Sequence, residues 1–163
     1  MQKQIEYTEI LVGLRKIIRA INLESKQIQK EHGISIPQLL CLNYLKNQPE
    51  YKSTSKELKA YMNLNASTIS GIVGRLEKKG YLARVPVKED KRVSSILLTG
   101  LGLKIIDQIP PLMHDKLTHK LQQLPASKLN DIQGAISLLI EFMGTESLDA
   151  SPVIMVQDPS DPI

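Results

Sequence analysis

The chain has 163 residues, 42% apolar and 23% charged, an ordinary globular composition and enough length for one domain with its own core. A single cysteine, Cys41, excludes an internal disulfide framework, and no apolar run approaches the roughly 18 residues of a membrane span. The opening MQKQIEYTEI lacks the apolar core of a signal peptide, so the expected compartment is the cytoplasm, with no membrane partner.

The net charge of +4 is unevenly distributed. Between Lys52 and Arg92 ten Lys or Arg stand against four acids, so that segment carries +6 and leaves −2 for the rest. A confined basic segment is the electrostatic footprint of a nucleic-acid binder when it coincides with a reading motif.

Residues 5–31 read as one long helix with Ile10, Leu14, Ile17, Ile21 and Ile28 on a stripe that Leu11 and Ile18 widen. So broad an arc predicts burial on two sides. His32-Gly33 ends it. Ser35 then caps a second helix to about Lys46, with Pro37 in its first turn and Leu39, Leu42 and Leu45 facing the core. Cys41 lies among leucines in that helix, which favours a structural thiol over a reactive one. Asn47-Gln48-Pro49 reads as a linker.

Thr54-x-x-Glu57 is a capping box opening a short helix whose apolar face is Leu58, Tyr61 and Met62. Asn63-Leu64 forms a turn, and Asn65 caps the next helix, 65–79, whose core stripe is Ile69, Ile72, Val73 and Leu76. The opposite stripe is Thr68, Gly71, Arg75 and Lys79, flanked by Ser67 and Ser70. Gly71 and Gly74 inside a helix cost about 1 kcal/mol each relative to alanine. A small, hydroxyl-bearing face with one Arg suits a helix that comes close to a groove floor, where hydroxyls bond phosphates or base edges and Arg bonds guanine bidentately. Gly80 suits the left-handed position that ends the helix. Leu82–Val87 and Val93–Leu98 then read as two short strands, Pro86 marking an edge or a bulge, around the charged tip Lys88-Glu89-Asp90-Lys91-Arg92. Helix-turn-helix followed by a basic hairpin is the order of a winged helix, whose loop reaches phosphates or a narrow minor groove. Asp90, two residues before Arg92, is placed to orient its guanidinium.

The segment SKELKAYMNLNASTISGIVGRLEKKGYLAR, the wing residues Asp90-Lys91-Arg92 and the Leu98-Thr99 that follows resemble the DNA-binding core of the MarR (multiple antibiotic resistance regulator) family. The resemblance extends more weakly over residues 5–143. Gly100 and Leu103 stand where that family often has an acidic residue and an Arg. It implies a fold that is mainly α with a small β-hairpin wing: a winged helix-turn-helix over 35–99, flanked by dimerisation helices at 5–31 and 100–143, in a domain spanning 1–144. It also implies a homodimer on double-stranded DNA, mostly as a repressor relieved by a small aromatic or anionic effector. The expected DNA-binding set is Ser67, Thr68, Ser70 and Arg75 for the major groove and Lys88, Lys91 and Arg92 on the wing, with Asp90 and Thr54 supporting them. The corresponding site is a pseudo-palindromic operator.

The helical pattern breaks near Gln108–Pro110, before Pro110-Pro111. It resumes after Leu124-Pro125 with Leu129, Ile132, Ile136, Leu139, Ile140 and Met143 on one stripe. Residues 145–163 form an acidic, proline-containing tail with no basic residue. His32, His114 and His119 are too scattered for a zinc site, no glycine-rich phosphate loop exists, and no catalytic constellation is visible. Neither an enzyme nor a cofactor is expected. Two other readings stay open: a winged helix used for protein contact, and a redox sensor acting through Cys41.

Overall fold

The structure, a computed structural model, describes residues 7–86 and 94–147. Lys88, Asp90, Lys91 and Arg92, and all of the tail beyond residue 147, lie outside these. The chain is mainly helical with one small antiparallel sheet. In order it forms α1 (Tyr7–His32), α2 (Ile36–Lys46), a short 3-10 turn at Pro49–Tyr51, β1 (Lys52–Thr54), α3 (Ser55–Met62), α4 (Ala66–Lys78), β2 (Leu82–Pro86), β3 (Ser94–Leu98), α5 (Gly100–Gln108), α6 (Met113–Gln122) and α7 (Ala126–Met143). Among the described residues, those up to Ile109 form one compact unit and those from Pro110 a second.

In the first unit, Leu39, Leu42 and Leu45 of α2 meet Leu58 and Met62 of α3, the stripe Ile69, Ile72, Val73 and Leu76 of α4, Ile96 and Leu98 of β3, and Ile105 and Ile106 of α5, all buried. Local signals fix the ends of these elements. Ser35 caps α2 through a capping box with Gln38. Gly80 ends the α4 turn at φ +75°, with the Gly80 and Tyr81 amides donating to the Glu77 and Leu76 carbonyls. Thr99 caps α5 by accepting the Gly102 amide, and its own hydroxyl donates to the Gly80 carbonyl.

Several expectations change. The wing sheet has three strands, not two. β3 is central, with β1 and β2 antiparallel on either side, and Ser53 and Arg84 both stand opposite Ile96. β1 is three mostly polar residues, too short to show an alternation, and it pairs with β3 just before the Thr54 cap. Pro86 does sit on an edge strand, β2. Tyr61 does not join Leu58 and Met62 in the core; it is 47% exposed and stacks on Tyr44 of α2 with ring centroids 4.3 Å apart. On α1 only Ile28 is buried, while Ile10, Leu11, Ile17 and Ile18 are exposed, so the wide apolar arc is not covered on two sides within one chain.

The break at Gln108–Pro110 is present, with Ile109 extended after α5. In the second unit, Asp115 accepts the Leu112 amide at the head of α6. No residue of α7 is buried, and Ile132, Ile136, Leu138 and Phe142 are exposed along it. Among the described residues no helix is long and apolar enough to cross a membrane.

Candidate nucleic-acid interface

The candidate surface is built on α4 and the elements beside it. Asn65 accepts the Thr68 amide at 2.8 Å and the Ser67 hydroxyl at 2.7 Å, so the first turn of α4 is closed by its own cap. Ser67 and Ser70 are exposed. Thr68, Gly71 and Arg75 are half-buried. Arg75 folds back along its own helix: its Nη1 lies 3.5 Å from the place a Cβ on Gly71 would occupy, and its Nε is shut off from solvent.

Thr54 forms the capping box expected of it at the head of α3. Its hydroxyl accepts the Glu57 amide at 3.2 Å and donates to Glu57 Oε2 at 3.0 Å, while its own amide donates to the same oxygen at 2.9 Å. Ser53, itself buried, adds a hydroxyl donor at 2.9 Å. The Thr54 amide, then the Ser53 and Thr54 hydroxyls, hold the Glu57 carboxyl below its ordinary pKa. Thr54 thus fixes the start of α3, with its hydroxyl committed in both roles.

Sequence reasoning missed a second group. Lys56 and Lys59 of α3 and Arg84 of β2, with the hydroxyls of Ser55 and Ser70, rim a hollow of about 220 Å³. Its floor is Ile69 and Val73. The three cations figured in the charge tally, but α3 and β2 are far apart in sequence and only the fold gathers them. Arg84 Nε is held by Glu77 Oε2 at 3.2 Å. At the other end of α4, Lys79 Nζ donates to the Gly33 carbonyl.

Cys41 is fully buried, and burial pushes its thiol up to about 12, against the thiolate a redox sensor needs. His114 and His119 are exposed on α6, and among the described residues no group of three or more His, Cys, Asp or Glu could hold a metal ion.

A helix-turn-helix of α3 and α4 on a three-stranded wing, with exposed hydroxyls along α4 and cations beside it, defines a winged-helix DNA-binding protein. A family model described as the MarR family matches residues 32–93. The HTH-type transcriptional regulator YsmB of Bacillus subtilis is 30% identical over 108 residues, 66% of this chain and 73% of that protein. Among solved structures, the MarR family transcriptional regulator Sco3205 of Streptomyces coelicolor in complex with DNA superposes with a TM-score of 0.59 at 23% identity, covering 91% of this chain and 96% of that one. The heme sensor protein PefR of Streptococcus agalactiae in complex with heme gives 0.55 at 26% identity, covering 92% and 100%. The chain belongs to the MarR family of transcriptional regulators, which bind DNA.

Proposed function

We propose that this protein is a cytoplasmic, homodimeric repressor that binds a pseudo-palindromic operator and is released from it by a small ligand. It acts by binding, not by catalysis. Each protomer lays α4 in a major groove, with Ser67, Thr68, Ser70 and Arg75 toward base edges, and sets the wing tip with Lys88, Lys91 and Arg92 against the adjacent minor groove. Asp90 steadies Arg92, and Thr54 contributes by holding α3.

The observation that carries the dimer is the exposure of long apolar stripes on both flanking helices. Ile17 on α1 is 56% exposed and Ile136 on α7 48%, on helices whose spacing is that of a buried face. A second copy supplies the missing cover. Two-fold symmetry then sets half-sites about one turn, roughly 10 bp, apart.

For the effector, α1 offers a hollow of about 450 Å³ where Arg15, Arg19 and Lys26 stand beside Ile18 and Leu23. Cations next to aliphatic walls suit an aromatic anion. Such a ligand relieves repression only by binding one arrangement of the dimer better than the DNA-bound one.

Selection of bound sequences from a random DNA pool tests the reading. The expected outcome is an enriched inverted repeat with centres about one turn apart. Recovery of no preferred sequence, or of an asymmetric site, overturns it.

A further inference from the structure

We propose that residues 148–163 of this chain act as an internal competitor of DNA: the acidic tail lies on the basic face of the winged helix and occupies it until a duplex displaces it. The proposal rests on the DNA-binding reading above for its consequence, and on charge complementarity within the chain for the contact itself.

The two partners are opposite in charge. Residues 148–163 carry Asp149, Asp158 and Asp161 and no Lys, Arg or His, whereas the segment Lys52–Arg92 carries +6. Acids within that segment are already engaged. Glu57 is held by the Thr54 amide and the Ser53 and Thr54 hydroxyls, and Glu77 by Arg84. Among the described residues Lys56 and Lys59 on α3 and Lys78 on α4 make no ion pair, and all three are exposed. Lys78 continues the stripe Ser67, Gly71 and Gly74 at helical spacing, so it belongs to the outer side of α4. The positive face therefore repels itself, and an anionic segment of the same chain relieves that repulsion.

The end of α7 frees the tail for this part. Gly144 stands at φ +62°, its amide donates to the Glu141 carbonyl, and the Thr145 amide and hydroxyl both donate to the Ile140 carbonyl. The helix is closed there, and the acids beyond are not carried on along α7. Sixteen residues, 148–163, span about 50 Å at full extension, against a radius of gyration of about 13 Å for a 100-residue unit. Tethering keeps such a segment at an effective concentration of about 1 mM. A contact too weak to form between separate molecules is then populated within one.

The full chain is compared with a chain ending at Ser147 and with the full-length triple variant Asp149→Asn, Asp158→Asn and Asp161→Asn. Affinity for the selected operator and for an unrelated duplex is measured across a range of salt. A tail that binds its face with a Kd of about 0.1–0.5 mM weakens DNA binding roughly three- to tenfold at that effective concentration. Both altered chains should bind both duplexes more tightly by this factor at about 50 mM salt. The advantage should vanish toward about 500 mM, where the contact is screened. A peptide of residues 148–163, added at about 1 mM to the shortened chain, should restore the weaker binding and shift backbone amides of α3 and α4. The same peptide with the three Asn should do neither. Equal affinity of all three chains, with no amide shifts from the peptide, overturns the proposal. Relief by shortening but not by the Asn substitutions, with a lowered thermal midpoint, also overturns it, because the apolar run Val153–Val156 then covers the exposed Ile132 and Ile136 of α7 instead. If no chain binds any duplex, the DNA-binding reading fails, and the peptide shifts decide the contact alone.

Discussion

Arg75 lies back over Gly71, one turn earlier on α4, with its Nη1 3.5 Å from where a Gly71 Cβ would stand. That separation is ordinary van der Waals contact, so a methyl group there fits without displacing the guanidinium. Gly71→Ala should therefore raise stability by about 1 kcal/mol through helix propensity alone, a rise in Tm of about 2–4 °C for a chain of this size. If α4 approaches a groove floor, the same methyl should weaken DNA binding while thermal unfolding improves. Arg75→Ala should cost about 1–3 kcal/mol of operator binding and relax specificity at one base position. Thermal unfolding beside competition binding on single-base operator variants checks both. Equal losses by Arg75→Ala on every duplex would remove Arg75 from base reading.

Gly102 should be the most sensitive glycine in the chain. A Cβ there would fall 2.4 Å from the Tyr81 carbonyl oxygen and 2.6 Å from Leu98 Cδ1. The oxygen is backbone, and it is fixed by accepting the Thr99 amide at 3.1 Å while the Tyr81 amide donates to Leu76. Neither end of the contact can swing aside. Gly102→Ala should lower stability by about 1–3 kcal/mol, seen as a reduced urea midpoint with an unchanged m-value. Gly74→Ala, with open space around the new methyl, should show the opposite sign.

The two glycines show where the sequence was readable. The helix-turn-helix could be placed because each boundary carries its own local chemistry: Thr54 with Glu57, Asn65 with Thr68, and Gly80 at positive φ. These signals act within a few residues and need no tertiary knowledge. Gly102 has no such signature, because its requirement comes from Tyr81 and Leu98 across the fold. The same holds for β1, which exists only by pairing with β3, and for the gathering of Lys56, Lys59 and Arg84. Arg75 was assigned to an exposed face by helical spacing, which gives a direction from the axis but not a rotamer.

Cys41 should be inert in the folded protein. Burial pushes its thiol from an ordinary 9.0 up to about 12, so almost no thiolate exists at neutral pH. Labelling by a disulfide reagent at pH 8 should be slow and limited by unfolding, and Cys41→Ala should leave DNA binding equally indifferent to peroxide. The shift also gives a pH dependence with a definite sign. An acid whose folded pKa is raised keeps its proton longer in the native state, so its contribution to stability is complete below about pH 9. That contribution falls as pH rises toward 12. Urea unfolding between pH 8 and 11 should show a steeper decline for wild type than for Cys41→Ala. Rapid labelling of the native protein would restore the redox reading.

Ile17 and Ile136 should decide the oligomeric state. Both are about half exposed in a single chain, on helices whose apolar residues recur at the spacing of a buried face. A charge at either costs little in a monomer, because the side chain already reaches water. In a dimer interface an unpaired buried charge costs roughly 3–5 kcal/mol, and two-fold symmetry introduces it twice. Ile17→Glu and Ile136→Glu should therefore dissociate the protein in sedimentation experiments. Their circular dichroism should stay unchanged, and operator affinity should fall to that of an isolated half-site. A variant that remains dimeric at micromolar concentration would show that its helix faces something other than a second copy.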